Sequence, residues 1–151
     1  MDEHDGHNDV VIPALLRSAR GIYGKAIRRR LAEAGFDDLP RNGPFILGGM
    51  ANRGLTYAET VEALDISKQA ASQLADVMVI RGYLLREADP DDRRRLVLTP
   101  TEWGRAAGEE VREAVEEVDE QLARMITPDQ MEGLRAGLRA LAHLNEQTPR
   151  N

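Results

Sequence analysis

The stretch SKQAASQLADVMVIRGYLLREADPDDRRRLVLTPT, residues 67–101, decides the fold. Ser67 is a favoured N-cap, because its side-chain oxygen can accept a free N–H of the first helical turn. Behind it Ala71, Leu74, Val77 or Met78, and Ile80 form the expected buried stripe of a helix. Gly82 offers the stop. Two short apolar runs follow, Tyr83-Leu84-Leu85 and Leu96-Val97-Leu98, each of strand length. Between them lies an acidic and basic tip, Asp89-Pro90-Asp91-Asp92-Arg93-Arg94-Arg95. Helix, strand, charged hairpin and strand are the outline of a winged helix. The outline places three consecutive arginines on a loop tip beside a helix that opens with small polar residues. That combination suits contact with DNA.

Upstream, Thr56-Tyr57-Ala58-Glu59 has the spacing of a capping box, in which each side chain satisfies the free backbone N–H at the other's position. It predicts a short helix ending near Leu64. Asp65-Ile66 turns the chain, so this helix and the one after Ser67 form a helix-turn-helix. A further helix is expected over Pro44–Asn52, closed by Gly54. Gly48 and Gly49 sit inside it, where each costs roughly 1 kcal/mol against Ala. Tight packing is the preferred reason for them, and room for a ligand is the other.

The chain ends carry long amphipathic patterns. From Val10, the residues Val11, Ile12, Leu15, Leu16, Ala19, Ile22, Tyr23, Ala26, Ile27 and Leu31 recur at helical spacing up to a stop at Gly35. Arg17, Arg20, Lys25, Arg28 and Arg29 take the other side. After the hairpin, Thr99-Pro100-Thr101-Glu102 reads as a capping box with Pro at the first helical position, or else Thr101 is the cap. The long helix beyond it carries Val111, Val115, Val118, Leu122, Met125 and Ile126. Thr127-Pro128-Asp129-Gln130 caps a last helix, striped by Met131, Leu134, Leu138, Leu141 and Leu144. The predicted fold class is mainly α with a small β wing, in the order α-α-α-α-β-β-α-α.

At 151 residues the chain fits one domain, or one domain with an appended oligomerisation element. It has no cysteine, which excludes disulfides, thiol redox sensing and thiolate-bound zinc. No apolar run approaches the ~20 residues that span a bilayer, and the acidic start Met1-Asp2-Glu3-His4-Asp5 is not a secretory signal. A cytoplasmic protein without a membrane partner is expected. The net charge of −6 opposes DNA binding only superficially. Residues 105–123 hold seven acids against two arginines, whereas residues 66–105 hold seven bases against six acids. The acidity therefore belongs largely to one helix, and local positive potential can coexist with it. Residues 1–9 read as a flexible polar tail. His4 and His7, among Asp2, Glu3, Asp5 and Asp9, could in principle hold a metal, but polar tails are far commoner and no metal or cofactor is expected. His143 stands alone. Neither a nucleophile–base pair nor a phosphate loop nor an H-E-x-x-H motif is visible, so an enzyme is not expected.

Over residues 10–146 the chain resembles the MarR family of bacterial transcriptional regulators. The most specific match is Asp92-Arg93-Arg94-Arg95-Leu96-Val97-Leu98-Thr99-Pro100-Thr101, which is similar to the family's wing pattern D-x-R-x5-L-T with Pro100 where Leu is usual. Thr56 to Leu64 is similar to the first helix of its helix-turn-helix. Ile66 to Leu74 is similar to the start of its recognition helix, and Arg81-Gly82-Tyr83-Leu84 to its exit into the wing. The resemblance implies a homodimer, with residues 10–35 and 102–146 as dimerisation helices and 43–101 as the winged helix-turn-helix. It also implies a ligand-responsive repressor on a pseudopalindromic double-stranded operator. Half-sites would lie one helical turn apart, roughly 34–36 Å. A winged helix that has lost DNA binding and works through protein contacts is the alternative.

The implied site has three parts. Ser67, Lys68, Gln69, Ser72 and Gln73 would face base edges and phosphates in the major groove: Lys68 toward guanine or phosphate, Gln69 and Gln73 toward adenine, Ser72 toward either. On the wing, Arg94 matches the family's groove-inserting arginine, and narrow minor grooves attract such a cation. Asp92 would hold the hairpin or orient Arg94, while Arg93 and Arg95 would meet phosphates or the neighbouring acids Asp89, Asp91 and Asp92. A possible small effector, aromatic or anionic, is assigned to Arg20, Tyr23, Met50 and Trp103. Taken one at a time, however, Tyr23, Met50 and Trp103 read better as core and Arg20 as surface.

Overall fold

The computed structural model describes residues 11–146, so the polar tail with His4 and His7 lies outside the described residues. The elements are α1 (Ile12–Glu33), α2 (Gly43–Leu47) running into a π-helical turn (Gly48–Asn52), α3 (Tyr57–Glu62), α4 (Lys68–Ile80), β1 (Leu84–Ala88), β2 (Leu96–Pro100), α5 (Glu102–Ala123) and α6 (Pro128–Glu146). Their order is the predicted one. The residues group into two compact units, one through Val115 and one from Glu116.

In the first unit the core is built where the short helices, the root of the wing and the start of α5 meet. Ile46, Leu47, Met78, Tyr83 and Leu84 are fully buried there, with Leu31, Phe36, Met50, Ala107 and Val111 around them. Caps predicted from sequence set the helix starts. Thr56 accepts from the Glu59 N–H and Glu59 accepts from the Thr56 N–H, the two halves of a capping box. The bond from the Thr56 N–H holds the Glu59 carboxyl below its ordinary pKa range. Ser67 accepts from the Ala70 N–H at 3.1 Å. Tyr57 on α3 donates its hydroxyl to the Ala71 carbonyl on α4 at 2.6 Å, tying the two helices of the helix-turn-helix together.

Three expectations change in detail, and one left open is decided. The helix expected over Pro44–Asn52 widens into a π turn from Gly48. Gly49 lies against Thr60, whose Oγ1 would be 2.6 Å from an added Cβ, so tight packing accounts for this glycine. The Asn52 side chain donates to the Gly108 carbonyl on α5 at 2.8 Å. Ile80 is 83% exposed rather than in the stripe. The buried α4 residues are Ala75 and Met78, with Ala71 and Leu74 half-buried. These repeat at i, i+3, i+4 and i+7, whereas Ile80 falls about 200° from Met78 at 100° per residue. Of the two starts left open for α5, the one capped by Thr101 holds: Thr101 accepts from the Gly104 N–H at 2.9 Å, and Pro100 is the last residue of β2. Lacking an N–H, proline is tolerated at such a strand end. Finally, α5 ends at Ala123, which leaves Met125 beyond the helix and 81% exposed.

In the second unit, Val118, Leu122 and Ile126 are half-buried. Thr127 and Gln130 exchange backbone and side-chain hydrogen bonds at 2.9 and 3.2 Å, the predicted cap of α6. Along α6, Leu134, Leu138, Leu141 and Leu144 remain exposed.

Candidate nucleic-acid interface

The first turns of α4 present what the sequence placed there. Ser67, Lys68, Gln69, Ser72 and Gln73 are all exposed, while Ala70 and Ala71 turn partly inward. Ser67 commits its oxygen to the cap, so its hydroxyl proton remains the group it can offer a ligand. The helix ends in a left-handed Gly82, with φ of +80°. The Gly82 N–H donates to Val79 and the Tyr83 N–H to Met78, closing the free carbonyls of the last turn. This turn feeds the chain straight into the wing.

The wing is an antiparallel pair in which Leu84 opposes Pro100, Arg86 opposes Leu98 and Ala88 opposes Leu96. Its root is fixed to α5: the Thr101 N–H donates to the Tyr83 carbonyl at 3.0 Å, and the Thr101 hydroxyl donates to Gly82 at 2.5 Å. At the tip two aspartates bond to backbone. Asp89 accepts from the Asp91 N–H at 2.9 Å, and Asp92 accepts from the Arg94 N–H at 3.1 Å. Asp92 thus holds the turn through the backbone of Arg94. Arg93, Arg94 and Arg95 are exposed, and Arg95 lies 3.9 Å from Asp89 in a loose ion pair. The result is a constrained turn that projects flexible cations.

Several contacts that build this surface were not readable in advance. Arg86 on β1 pairs with Asp76 on α4 at 2.5 Å. The Tyr83 hydroxyl donates to the Asp38 carboxylate, and Arg81 donates to the Asp38 carbonyl. Burial pushes the Tyr83 phenol up to about 12, with the Asp38 carboxylate adding to the shift. Phe36 sits 4.4 Å from Trp103 and 6.4 Å from Tyr83, centroid to centroid. On α1, Arg30 bridges Glu110, at 2.7 Å, and Glu113 of α5. Each joins residues apart in sequence by a hydrogen bond, opposite charge or ring contact. Nothing local marks one such partner over another.

The four residues assigned to an effector occupy different settings. Arg20 is exposed on α1, and Tyr23 is half-buried on the same helix. Met50 belongs to the core, and Trp103 is 48% exposed beside Phe36. Trp103 also borders an open hollow of about 460 Å³ with Gly82, Thr101, Glu102 and Ala106. Among the described residues, no helix is long and apolar enough to cross a membrane.

A recognition-type helix, a turn and a two-stranded wing define a winged-helix protein. The model of the MarR family matches residues 38–95, the helix-turn-helix and most of the wing. Uncharacterised proteins of Mycobacterium tuberculosis and Mycobacterium bovis are 26% identical over 96 residues, which cover 64% of this chain and 67% of theirs. The fold is shared with S. aureus MepR in its DNA-binding conformation (TM-score 0.72, 19% identity, 89% of this chain and 99% of that one). It is shared as well with Rhodococcus jostii CouR bound to p-coumaroyl-CoA (0.68, 21%, 93% and 95%). A third such structure is Bordetella bronchiseptica BpsR, whose DNA binding is regulated by 6-hydroxynicotinic acid (0.65, 21%, 90% and 96%). The chain has a winged-helix fold, and its likeness to the MarR family is carried by residues 38–95.

Proposed function

We propose that this chain is a homodimeric transcriptional regulator that binds a pseudopalindromic double-stranded DNA operator, and that it is a repressor released by a small aromatic or anionic ligand. One observation carries the reading. The exposed polar start of α4 and the exposed arginine tip are presented by one rigidly rooted hairpin and helix. Base edges in the major groove match the donors and acceptors of Lys68, Gln69, Ser72 and Gln73. A narrow minor groove suits Arg94, and phosphates suit Arg93 and Arg95. S. aureus MepR is known in complex with DNA, which favours the same partner here.

The homodimer rests on apolar surface. Ile12, Leu15, Leu16 and Ile22 of α1 are exposed, as are Leu134, Leu138, Leu141 and Leu144 of α6. Large apolar side chains left exposed in a row along a helix mark an association site. Residues 10–35 and 102–146 are accordingly the dimerisation helices, and 43–101 the DNA-binding region. The ligand reading rests on CouR and BpsR. Arg20 would pair with an acid group, and Tyr23, Met50 and Trp103 would supply apolar walls. A ligand that prefers a spacing of the two wings unsuited to DNA shifts the population and empties the operator.

The test is a mobility-shift titration against DNA upstream of the chain's own coding sequence, repeated across a salt series. Binding is expected, weakening steeply with salt as counterions are released. No shift at low salt, from a chain shown to be folded and dimeric, would count against the whole reading. A thermal-shift screen with aromatic acids then tests the ligand.

A further inference from the structure

A two-stranded sheet is marginal by itself in water, so the wing needs anchors to hold a fixed direction. Its root has them in Tyr83, Leu84 and Thr101. Beyond Arg86 the strand residues Glu87, Ala88 and Leu96 are exposed, and the tip is bonded only to itself through Asp89 and Asp92 among the described residues. Between root and tip, the outermost described side-chain polar link to α4 is the Arg86–Asp76 pair. Asp76 continues the exposed row Gln69, Ser72, Gln73 at i+7, so it lies on the face assigned to DNA. A bare carboxylate there would oppose phosphate. Arg86 both neutralises it and ties the wing to the helix.

We propose that Asp76 and Arg86 are positioning residues, a clamp that sets the wing arginines relative to the recognition helix and so discriminates operator from non-specific DNA. This rests on the DNA-binding reading above. The lever is long enough to matter. From the root to the tip is about five residues, or ~17 Å at ~3.3 Å each. A tilt of about 10° would then move the tip ~3 Å, half the ~6 Å width of a minor groove.

The sign of one substitution separates a clamp from plain electrostatics. Asp76→Asn removes a negative charge from the DNA face. Charge alone predicts equal or tighter binding to every DNA. The clamp predicts weaker operator binding and a fall of about fivefold in the ratio of operator to non-specific affinity, of the size usual for contacting pairs. Arg86→Gln should lower that ratio similarly, the double variant no further, and Arg86→Lys should recover much of it. An Asp76→Asn chain that binds operator at least as tightly as wild type, with the ratio unchanged, overturns the clamp.

A second measurement needs no DNA. Because the chain has no cysteine, spin labels can be placed through Ala63→Cys and Arg93→Cys, with labelled chain diluted into unlabelled. The distance distribution should be narrow in the otherwise wild-type chain and with Arg86→Lys, and broad with Asp76→Asn. Equal widths overturn the clamp whether or not DNA is bound, whereas a wild-type chain that shifts no DNA overturns the functional reading instead.

Discussion

Replacing Gly104 by alanine should destabilise the protein, although alanine is the better helix former. At an open helical position the change would gain about 1 kcal/mol. At Gly104 the added Cβ would lie 2.0 Å from the carbonyl oxygen of Tyr83 and 3.0 Å from its carbon. That oxygen cannot swing aside freely, because it accepts from the Thr101 N–H at 3.0 Å and anchors the root of the wing. Either α5 or the wing must move by about 1 Å. Overpacking of this kind costs typically 1–3 kcal/mol and more when backbone is the obstacle. Subtracting the propensity gain from the upper part of that range leaves a net loss of about 2 kcal/mol. Urea unfolding followed by far-ultraviolet circular dichroism, at one fixed protein concentration, would measure it. Ala106→Gly in the same helix is the control. Ala106 is exposed, so that change should cost only the propensity, about 1 kcal/mol. A Gly104→Ala chain as stable as wild type, or more so, would refute the packing described between α5 and the wing.

Arg94→Ala should weaken operator binding and leave the urea midpoint within error; unchanged affinity at physiological salt would remove Arg94 from the interface. Gln69→Ala should relax preference at one base position by about 1–3 kcal/mol, read by site selection from a random library. Asp92→Ala should lower DNA affinity by freeing the turn, whereas Asp92→Asn keeps an oxygen for the Arg94 N–H and should stay close to wild type. Tyr83 gives a pH dependence of known sign. Its folded pKa, about 12, lies above the ordinary value of 10.0. The neutral phenol is the form the fold favours, so its contribution is complete below pH 10 and is lost as pH rises toward 12. Tyr83→Phe should be less stable at neutral pH, by about 1–3 kcal/mol for the lost bond to Asp38. It should also lack the alkaline decline that wild type shows in urea titrations between these limits.

The site was legible in proportion to how local its chemistry is. Ser67, Thr56 and Thr127 announce helix starts because a cap involves residues three apart, and each makes the expected bond. Asp92 was expected to hold the hairpin or to orient Arg94, and the bond it makes is to the Arg94 backbone. Ile80 misled because an apolar residue two positions past Met78 is easily added to a stripe that has already turned away. Pro100 leaves two starts for α5 open because proline fits both a first helical turn and a strand end, and the pairing with Leu84 chooses the one capped by Thr101.

The sequence by itself determined the order of elements, their caps, the charged tip and the exposed polar start of α4. These follow from spacing, and spacing fixes which way neighbouring side chains point. Only the tertiary structure decided that Asp76 finds Arg86, that Tyr83 finds Asp38, and that Gly104 lies under a carbonyl. In each case the partners lie 10, 45 and 21 positions apart. At such separations many carboxylates, cations and glycines are equivalent along the chain. Burial and the direction of the wing make one pairing possible and exclude the rest.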